Sequence, residues 1–337
     1  MISHKKLSQK KPPDVAFLLF GLRRMALLLI KAFVTVLASL QGGWMKKLSG
    51  CIVSMLWAFT ASAQPVMQWY TSHWPPYRIS EGPYAGQGSF DLMLGQLIQA
   101  LPQYQHQIHQ IHLARIVKVS ATTSENHCTF GLRYTPERDK RIYFSQPAGL
   151  LPNLAVNSLL QHDKLKTFNP QQAVQMKTLV SDADMLGLIE NDRAYPAVIA
   201  AQINKAGSNL GGSSMTTMNP AQLLAAKRVD YVVDYPNRLR YFSTEAGQDV
   251  QLEFRPIAEI PGFSYTYVSC SKTETGKRWI ADIDAALNTL KQKPEYKSAM
   301  YRWFSEQEQQ LLEPHYSGFQ QTQLFVPEQA ETRFSDM

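Results

Sequence analysis

The sequence predicts an α/β protein made of two lobes. The first observation is the order of the elements, since short apolar strands alternate with amphipathic helices. The second is that this alternation occurs once in each half of the chain, which indicates two lobes. The third is composition: 337 residues with 45% hydrophobic and 18% charged side chains are enough for two domains, and they exclude a disordered, coiled-coil or collagen-like chain.

The first half predicts a strand, a loop and a helix, followed by further alternation. Residues 66–70 have the pattern of a strand, and the loop after them is rich in Pro, Gly and aromatic residues. A helix is predicted over 90–101, because its apolar residues recur at helical spacing and a proline follows its end. The next elements are a strand over 107–113, a helix over 114–120 and a strand over 127–134. This order favours a parallel sheet with helices on its faces.

The second half repeats the alternation. The predicted order is a strand at 178–180 or 186–189, a helix over 196–203, a strand over 213–217, a helix over 220–227 and a strand over 231–234. Asn219 is a suitable N-cap for the 220–227 helix, whose first residue is proline. The final third adds strands over 252–257 and 265–269, and helices over 277–290 and 294–304. The chain after residue 314 is polar and predicted to be loose.

A secretory signal is predicted ahead of the folded part. Residues 45–47 provide a basic start, residues 51–59 form a short apolar run, and residues 61–63 supply the small side chains of a cleavage site after Ala63. The mature protein is then periplasmic. We expect translation to start at Met45, and an N-terminal membrane helix is the alternative for residues 1–44.

The formal net charge of +7 comes from this leader. Of the 34 basic and 27 acidic residues, nine basic and one acidic residue lie in 1–63, which leaves 25 and 26 in the rest. The predicted folded part is therefore near neutral, and no nucleic-acid partner is expected.

Cysteine usage also depends on the signal. Cys51 leaves with the leader, so the mature chain keeps Cys128 and Cys270. Two cysteines in an oxidising compartment predict one disulfide, and two separate buried thiols are the alternative.

The most informative segment contains Thr-Pro-Glu-Arg at 135–138 and Phe-Ser-Gln-Pro at 144–147. It resembles the T-x-E-R…F-S-x-P signature of family 3 extracellular solute-binding proteins, which include the amino-acid-binding proteins of ABC transporters. Trp-Pro-Pro-Tyr at 74–77 and Gly-Gln-Gly-Ser-Phe-Asp at 86–91 occur in the order that this family requires. The resemblance covers about residues 66–304. It implies the type 2 periplasmic binding protein fold, with a ligand cleft between the lobes.

The resemblance implies ligand-binding residues on the first lobe. The family's signature arginine grips the ligand carboxylate, and Arg138 is the matching residue; a surface ion pair with its acidic neighbours is the alternative. Arg133 stands where relatives often carry a small hydroxyl residue, so it either adds a second positive charge to the cleft or points away. Trp74 matches an aromatic residue that stacks on the ligand, with a role in covering the lobe's core as the alternative. Ser72 and Tyr77 are the other candidates in this loop.

On the second lobe, Arg193 and Tyr195 precede a predicted helix, whose free backbone N–H groups suit an anion. The family usually places an acid for the ligand's ammonium group near the end of a strand in this lobe. Asp234 is the candidate, but its spacing is one residue short, so Tyr235 or neither residue remains open.

These inferences predict a monomeric periplasmic solute-binding protein. Its first lobe is predicted at 64–155 plus 260–315, its second lobe at 156–259 and a loose tail at 316–337. It would capture a small polar, carboxylate-bearing, amino-acid-like solute for an ABC permease or a membrane sensor.

Two other functions stay open. One is a dehydratase-like enzyme acting on a small carboxylate, and the other is a structural or signalling protein whose cleft has lost its ligand. The sequence contains no recognisable nucleophile, phosphate-loop or metal motif, so we expect no enzymatic activity and no cofactor. The spacing of His106, His109 and His112 favours an exposed polar edge over a metal site.

Overall fold

The computed structural model describes residues 64–122, 125–160, 162–165, 173–191, 193–203, 205–213, 218–245, 247 and 250–323. The predicted signal, its cleavage after Ala63 and the start at Met45 therefore lie outside the described residues. Within the described ranges, no helix is long and apolar enough to cross a membrane.

The described residues form two mixed sheets with helices packed around them. The strands are β1 (Val66–Thr71), β2 (Gln105–Gln110), β3 (Cys128–Leu132), β4 (Ile142–Pro152), β5 (Ala155–Leu159), β6 (Gly187–Glu190), β7 (Leu210–Ser213), β8 (Tyr231–Asp234), β9 (Leu252–Pro256) and β10 (Phe263–Ser271). The helices are α1 (Ser89–Gln99), α2 (Leu113–Thr122), α3 (Pro136–Asp139), α4 (Met176–Val180), α5 (Ala197–Ala200), α6 (Pro220–Ala225), α7 (Pro236–Glu245), α8 (Glu274–Leu290), α9 (Pro294–Tyr301) and α10 (Glu306–Gln321).

The first sheet has the strand order β2-β1-β3-β10-β4, and the second has the order β7-β6-β8-β5-β9. The chain thus leaves the first sheet after β4 and returns to it at β10. This arrangement confirms the predicted two-lobed α/β fold. We keep 64–155 plus 260–315 and 156–259 as the proposed limits of the lobes.

The prediction of parallel sheets is only partly right. β1 runs parallel to β2 and β3, and β6 runs parallel to β7 and β8, but β10 is antiparallel to β3 and β4, and β5 is antiparallel to β8 and β9. β4 carries the chain toward the second sheet and β10 carries it back. Because these two strands lie side by side, they must run in opposite directions.

Three local predictions are corrected. Residues 176–180 are helical, so the open choice of strand is resolved in favour of β6 at Gly187–Glu190. The predicted strand at 213–217 lies earlier, at Leu210–Ser213, and residues 214–217 are outside the described part. Helix α7 was not predicted. Its segment is rich in polar and aromatic residues, yet most of these side chains are buried.

The predicted loose tail at 316–337 is wrong for its first residues, because α10 continues to Gln321 despite an internal Pro314. Ser305 and Glu308 form a reciprocal capping box at its start. Leu312, Tyr316 and Phe319 are buried at helical spacing, and this burial stabilises the helix. Residues 324–337 lie outside the described residues.

The predicted disulfide between Cys128 and Cys270 is present. The two cysteines face each other in the register of β3 and β10, and both are buried. The bridge therefore joins two central strands of the first sheet that are separated by 142 residues in sequence.

Candidate functional site

A cavity of about 70 Å³ lies where the two sheets approach each other. Its walls come from the loop after β1, from β3 and α3, from the middle of β10, and from the segments after β6 and β8. The described lining residues are Thr71, Ser72, Trp74, Arg78, Phe90, Leu113, Ile116, Thr129, Phe130, Gly131, Leu132, Arg133, Arg138, Leu151, Arg193, Ala194, Tyr235, Tyr265 and Thr266.

The cavity contains five of the eight ligand residues predicted from sequence. Ser72, Trp74, Arg133, Arg138 and Arg193 line it, and these five come from both lobes. The remaining three, Tyr77, Tyr195 and Asp234, lie just behind this first layer of residues.

Arg138 is positioned by the signature in which it occurs. Pro136 begins the single turn of α3, and the Thr135 hydroxyl accepts a hydrogen bond from the Arg138 backbone N at 3.2 Å. The Arg138 guanidinium then donates through Nη1 to the Arg133 carbonyl oxygen at 2.8 Å. The Thr-Pro-Glu-Arg sequence therefore fixes the arginine at the cavity wall.

The Arg138 guanidinium has no carboxylate partner among the described residues. Burial, followed by the neighbouring Arg133 guanidinium, lowers the pKa of Arg138 to about 10. The side chain is still charged at neutral pH, because that pKa lies about three units above it. A half-buried cation without a counterion carries an electrostatic cost that a bound anion would reduce.

Arg133 brings a second guanidinium to the same wall. Its Nη1 donates to the Asn153 side-chain oxygen at 3.4 Å. The Asn153 amide nitrogen donates in turn to the carbonyl oxygens of Pro261 and Phe263, so Asn153 links both segments that connect the lobes. Arg133 therefore lies between the cavity and the interlobe connections.

The Trp-Pro-Pro-Tyr loop forms a tight turn in which Trp74 and Arg78 exchange backbone hydrogen bonds. Trp74 stacks on Tyr77 with ring centroids 4.9 Å apart, and the Arg238 guanidinium lies 4.5 Å from its ring centre. The indole N–H donates to Glu190 of the second lobe at 3.3 Å. Trp74 thus lines the cavity and also joins the lobes.

Tyr77 is fully buried and donates through its hydroxyl to the Asn237 side-chain oxygen at 3.0 Å. Burial raises the pKa of Tyr77 well above its ordinary value, so it is a neutral donor. Tyr77 therefore supports Trp74 and links the first lobe to helix α7.

The Gly-x-Gly-x-Phe-Asp motif holds this loop in place. Asp91 accepts hydrogen bonds from the backbone N of Ile79 at 2.8 Å and of Gly88 at 3.1 Å, and its other oxygen pairs with Arg78 at 3.1 Å. A Cβ at residue 88 would lie 2.4 Å from the Tyr77 carbonyl oxygen. Only glycine allows this close approach of the loop to the start of α1.

Asp234 is fully buried at the end of β8 and is paired on both oxygens. Oδ1 accepts from Arg193 and from the backbone N of Tyr235 at 2.7 Å, and Oδ2 accepts from Arg238 at 3.0 Å. Burial alone would raise the pKa of Asp234, but Arg238 and Arg193 lower it below its ordinary value. The residue is a permanent anion inside an ion-pair network.

Glu190 completes this network on the opposite side of Arg238. Its Oε2 accepts from Arg238 at 3.1 Å, while the Nη1 of Arg193 lies 3.9 Å away. Arg238 also donates to the Pro75 carbonyl oxygen of the first lobe at 3.2 Å. Two arginines thus neutralise two acids at the junction of the lobes.

The sequence analysis missed Arg238, Glu190 and Arg78. Arg238 lies in helix α7, which was not predicted, and it pairs with Asp234 at the end of the preceding strand. Glu190 ends a strand whose position was left open. Arg78 directly follows the Trp-Pro-Pro-Tyr loop, and only the fold shows that it pairs with Asp91.

Tyr195 makes hydrogen bonds within its own loop and is not among the described residues of the cavity wall. Its hydroxyl donates to the Glu190 carbonyl oxygen at 3.0 Å and accepts from the Glu190 backbone N at 2.9 Å. The Arg193 guanidinium lies 5.2 Å from its ring centre. Helix α5, which follows, has only four residues, so it offers little of the dipole expected from the sequence.

No cluster of three or more metal-ligating side chains occurs in the described ranges. The three histidines near β2 have separate surroundings. His106 accepts from the Trp69 indole N–H at 3.0 Å, whereas His109 and His112 are exposed. The described cavity wall also contains no carboxylate, histidine, lysine or cysteine side chain.

Solved structures share this fold. A histidine kinase sensor domain with similarity to periplasmic binding proteins is 13% identical, with a TM-score of 0.54 over 72% of this chain and 96% of that one. A putative L-cystine ABC transporter protein from Listeria monocytogenes is 14% identical, with a TM-score of 0.54 over 73% and 98%. A probable amino-acid ABC transporter extracellular-binding protein from Bacillus subtilis is 13% identical, with a TM-score of 0.55 over 73% and 100%.

At these identities the structural likeness establishes the fold, which is that of type 2 periplasmic binding proteins. No protein-family model matches the sequence, and no curated protein matches it.

Proposed function

We propose that this protein, which has the fold of periplasmic solute-binding proteins, captures a small carboxylate-bearing solute between its lobes. One observation carries the proposal: the half-buried Arg138 guanidinium lines the cavity and has no carboxylate partner among the described residues. A bound carboxylate would supply the missing counterion through two parallel hydrogen bonds. The solute would pass to an ABC permease or be reported to a membrane sensor, and the protein would act as a periplasmic monomer.

The contacts between the lobes support capture by closure. Trp74 bonds to Glu190, Tyr77 bonds to Asn237, and Arg238 bonds to a carbonyl oxygen of the first lobe. These contacts join the two lobes beside the cavity, so a solute bound there would be held between them. Two crossing segments are a suitable hinge for opening and closing the lobes.

A binding role is favoured over an enzymatic one by the chemistry of the wall. General acid–base catalysis commonly uses histidine, carboxylate, lysine, cysteine or tyrosine groups, and of these the described part of the cavity wall contains only the tyrosines Tyr235 and Tyr265. The nearest acids, Asp234 and Glu190, are committed to ion pairs with arginines. We therefore propose that the protein binds its solute without altering it.

The test is a thermal-shift screen of small carboxylates, followed by calorimetry on wild type, Arg138→Ala and Arg138→Lys. Loss of a desolvated charge pair costs about 2–5 kcal/mol, so Arg138→Ala should weaken binding about 30-fold to several thousand-fold. Lysine should restore only part of the affinity, because an ammonium group lacks the planar two-point contact.

The matched control is Arg141→Ala, because Arg141 lies in the same segment but is exposed. This variant should bind as wild type does. Equal affinity of folded wild type and Arg138→Ala for the same carboxylate would contradict the proposed site. Absence of any carboxylate binding would contradict the proposed function.

A further inference from the structure

Resting on the proposed function, we propose that the cleft selects carboxylates that lack an ammonium group, namely organic acids rather than α-amino acids. There are three reasons. The acids of the second lobe are already paired, arginines line the cavity, and arginines also lie over two of its aromatic rings.

The first reason concerns the acids that an amino group would need. An ammonium group is a donor only and requires acceptors, preferably negatively charged ones. Asp234 is 0% exposed, and its two oxygens already accept from Arg193, Arg238 and the Tyr235 backbone. Glu190 is held by Arg238 and by the Trp74 indole. Neither acid is among the described lining residues.

The second reason is the sign of the charge at the wall. Arg78, Arg133, Arg138 and Arg193 line the cavity, and no carboxylate does so among the described residues. Asp91 offsets Arg78, and Asp234 offsets Arg193 from behind. Within the part of the chain that the structure describes, no acid pairs with Arg138. The field in the cavity therefore favours an anion and opposes a second positive charge.

The third reason is that aromatic faces do not replace the acids. A cation can bind over a tryptophan or tyrosine ring. However, one face of Trp74 is stacked on Tyr77, and the Arg238 guanidinium lies 4.5 Å from the Trp74 ring centre. The Arg193 guanidinium lies 4.5 Å from the ring centre of Tyr235. The protein's own arginines therefore already lie over the rings of Trp74 and Tyr235.

Arg193 also offers a donor to the ligand. Its Nη1 is paired with Asp234, whereas its buried Nη2 has no hydrogen-bond partner among the described residues. A keto oxygen, a hydroxyl oxygen or a second carboxylate can accept from Nη2, but an ammonium group at the same place cannot. Arg138 and Arg193 come from opposite lobes, so an acid with acceptors at both ends would join the lobes.

The experiment compares wild-type binding within pairs that share a carbon skeleton, measured by calorimetry at pH 7. The pairs are pyruvate and alanine, succinate and aspartate, and 2-oxoglutarate and glutamate. We expect at least one organic acid to bind, with a Kd at least tenfold below that of its amino-acid partner. Equal or tighter binding of the amino acid in the pair that binds best would overturn the inference and leave the proposed function intact. Absence of binding in all pairs, and in the carboxylate screen, would overturn both.

A second measurement uses Arg193→Gln, which removes the cation from Asp234 Oδ1 while keeping a polar side chain. This change should move the ratio of the two Kd values at least tenfold toward the amino acid. Arg141→Ala, at an exposed residue outside the described cavity wall, is the matched control and should keep the wild-type ratio. An unchanged ratio in folded Arg193→Gln would overturn the inference. If this variant does not fold, the wild-type pairs decide the question.

Discussion

Removal of the Cys128–Cys270 disulfide should destabilise the fold strongly and change ligand affinity little. The bridge closes a loop of 142 residues, and in the chain-entropy model a loop of that length contributes about 5 kcal/mol at 25 °C. Removal of a native disulfide from a secreted domain typically costs about 2–5 kcal/mol. We therefore expect the double variant Cys128→Ala/Cys270→Ala to lose about 2–5 kcal/mol of unfolding free energy.

Ligand affinity should be nearly retained for a structural reason. β3 keeps its pairing with β10 at Thr129, Phe130 and Leu132. These pairings hold the three residues at the cavity wall, whereas Cys128 is not among the described lining residues. The Kd for a carboxylate found in the screen should therefore change less than about threefold. Changes at positions that share no contacting residue usually affect each other little.

The assay is urea unfolding of wild type and the double variant, with calorimetry on the same samples. Wild type under reducing conditions is the control and should approach the stability of the double variant. A loss below about 1 kcal/mol, with an unchanged dependence on urea, would refute the chain-entropy reasoning. A large loss of affinity with retained stability would show that the bridge acts on the site instead.

Three further predictions concern stability and closure. Burial raises the pKa of Asp284 from 3.8 to about 6, so the folded state gains stability as pH falls from above 6 to below 4. Asp284→Asn should therefore raise the free energy of unfolding by about 1–2 kcal/mol at pH 8 and leave it unchanged at pH 4. An effect in urea unfolding that does not depend on pH would contradict this prediction. Gly88→Ala should lower the free energy of unfolding in urea by about 1–3 kcal/mol, because the added Cβ meets the Tyr77 carbonyl oxygen. Gly95→Ala is the control and should not lower it, because the space around its Cβ is open. Equal effects of the two changes would refute the steric reason. Trp74→Phe removes the hydrogen bond to Glu190 and should weaken ligand binding, measured by calorimetry, by about 0.5–1.5 kcal/mol. Unchanged affinity would show that closure of the lobes does not use this bond.

Sequence alone predicted the features that depend on local pattern and order. The alternation of apolar periods indicated a two-lobed α/β fold, and the Thr-Pro-Glu-Arg turn directed attention to Arg138. Capping by Thr135 and the glycine at 88 are local effects, so motifs of a few residues carried that information. The choice of Cys128 and Cys270 followed from there being two cysteines in the predicted mature chain.

Only the tertiary structure decided which charges remain available in the cleft. Asp234 looked suited to a ligand ammonium, yet Arg193 and Arg238 occupy both of its oxygens. Sequence spacing does not reveal such pairing, because it depends on how β6, β8 and helix α7 meet. The same is true of the antiparallel β10 and of the buried face of α10. In each case contacts between residues distant in sequence outweigh the local pattern, since burial and ion pairing are properties of the assembled fold.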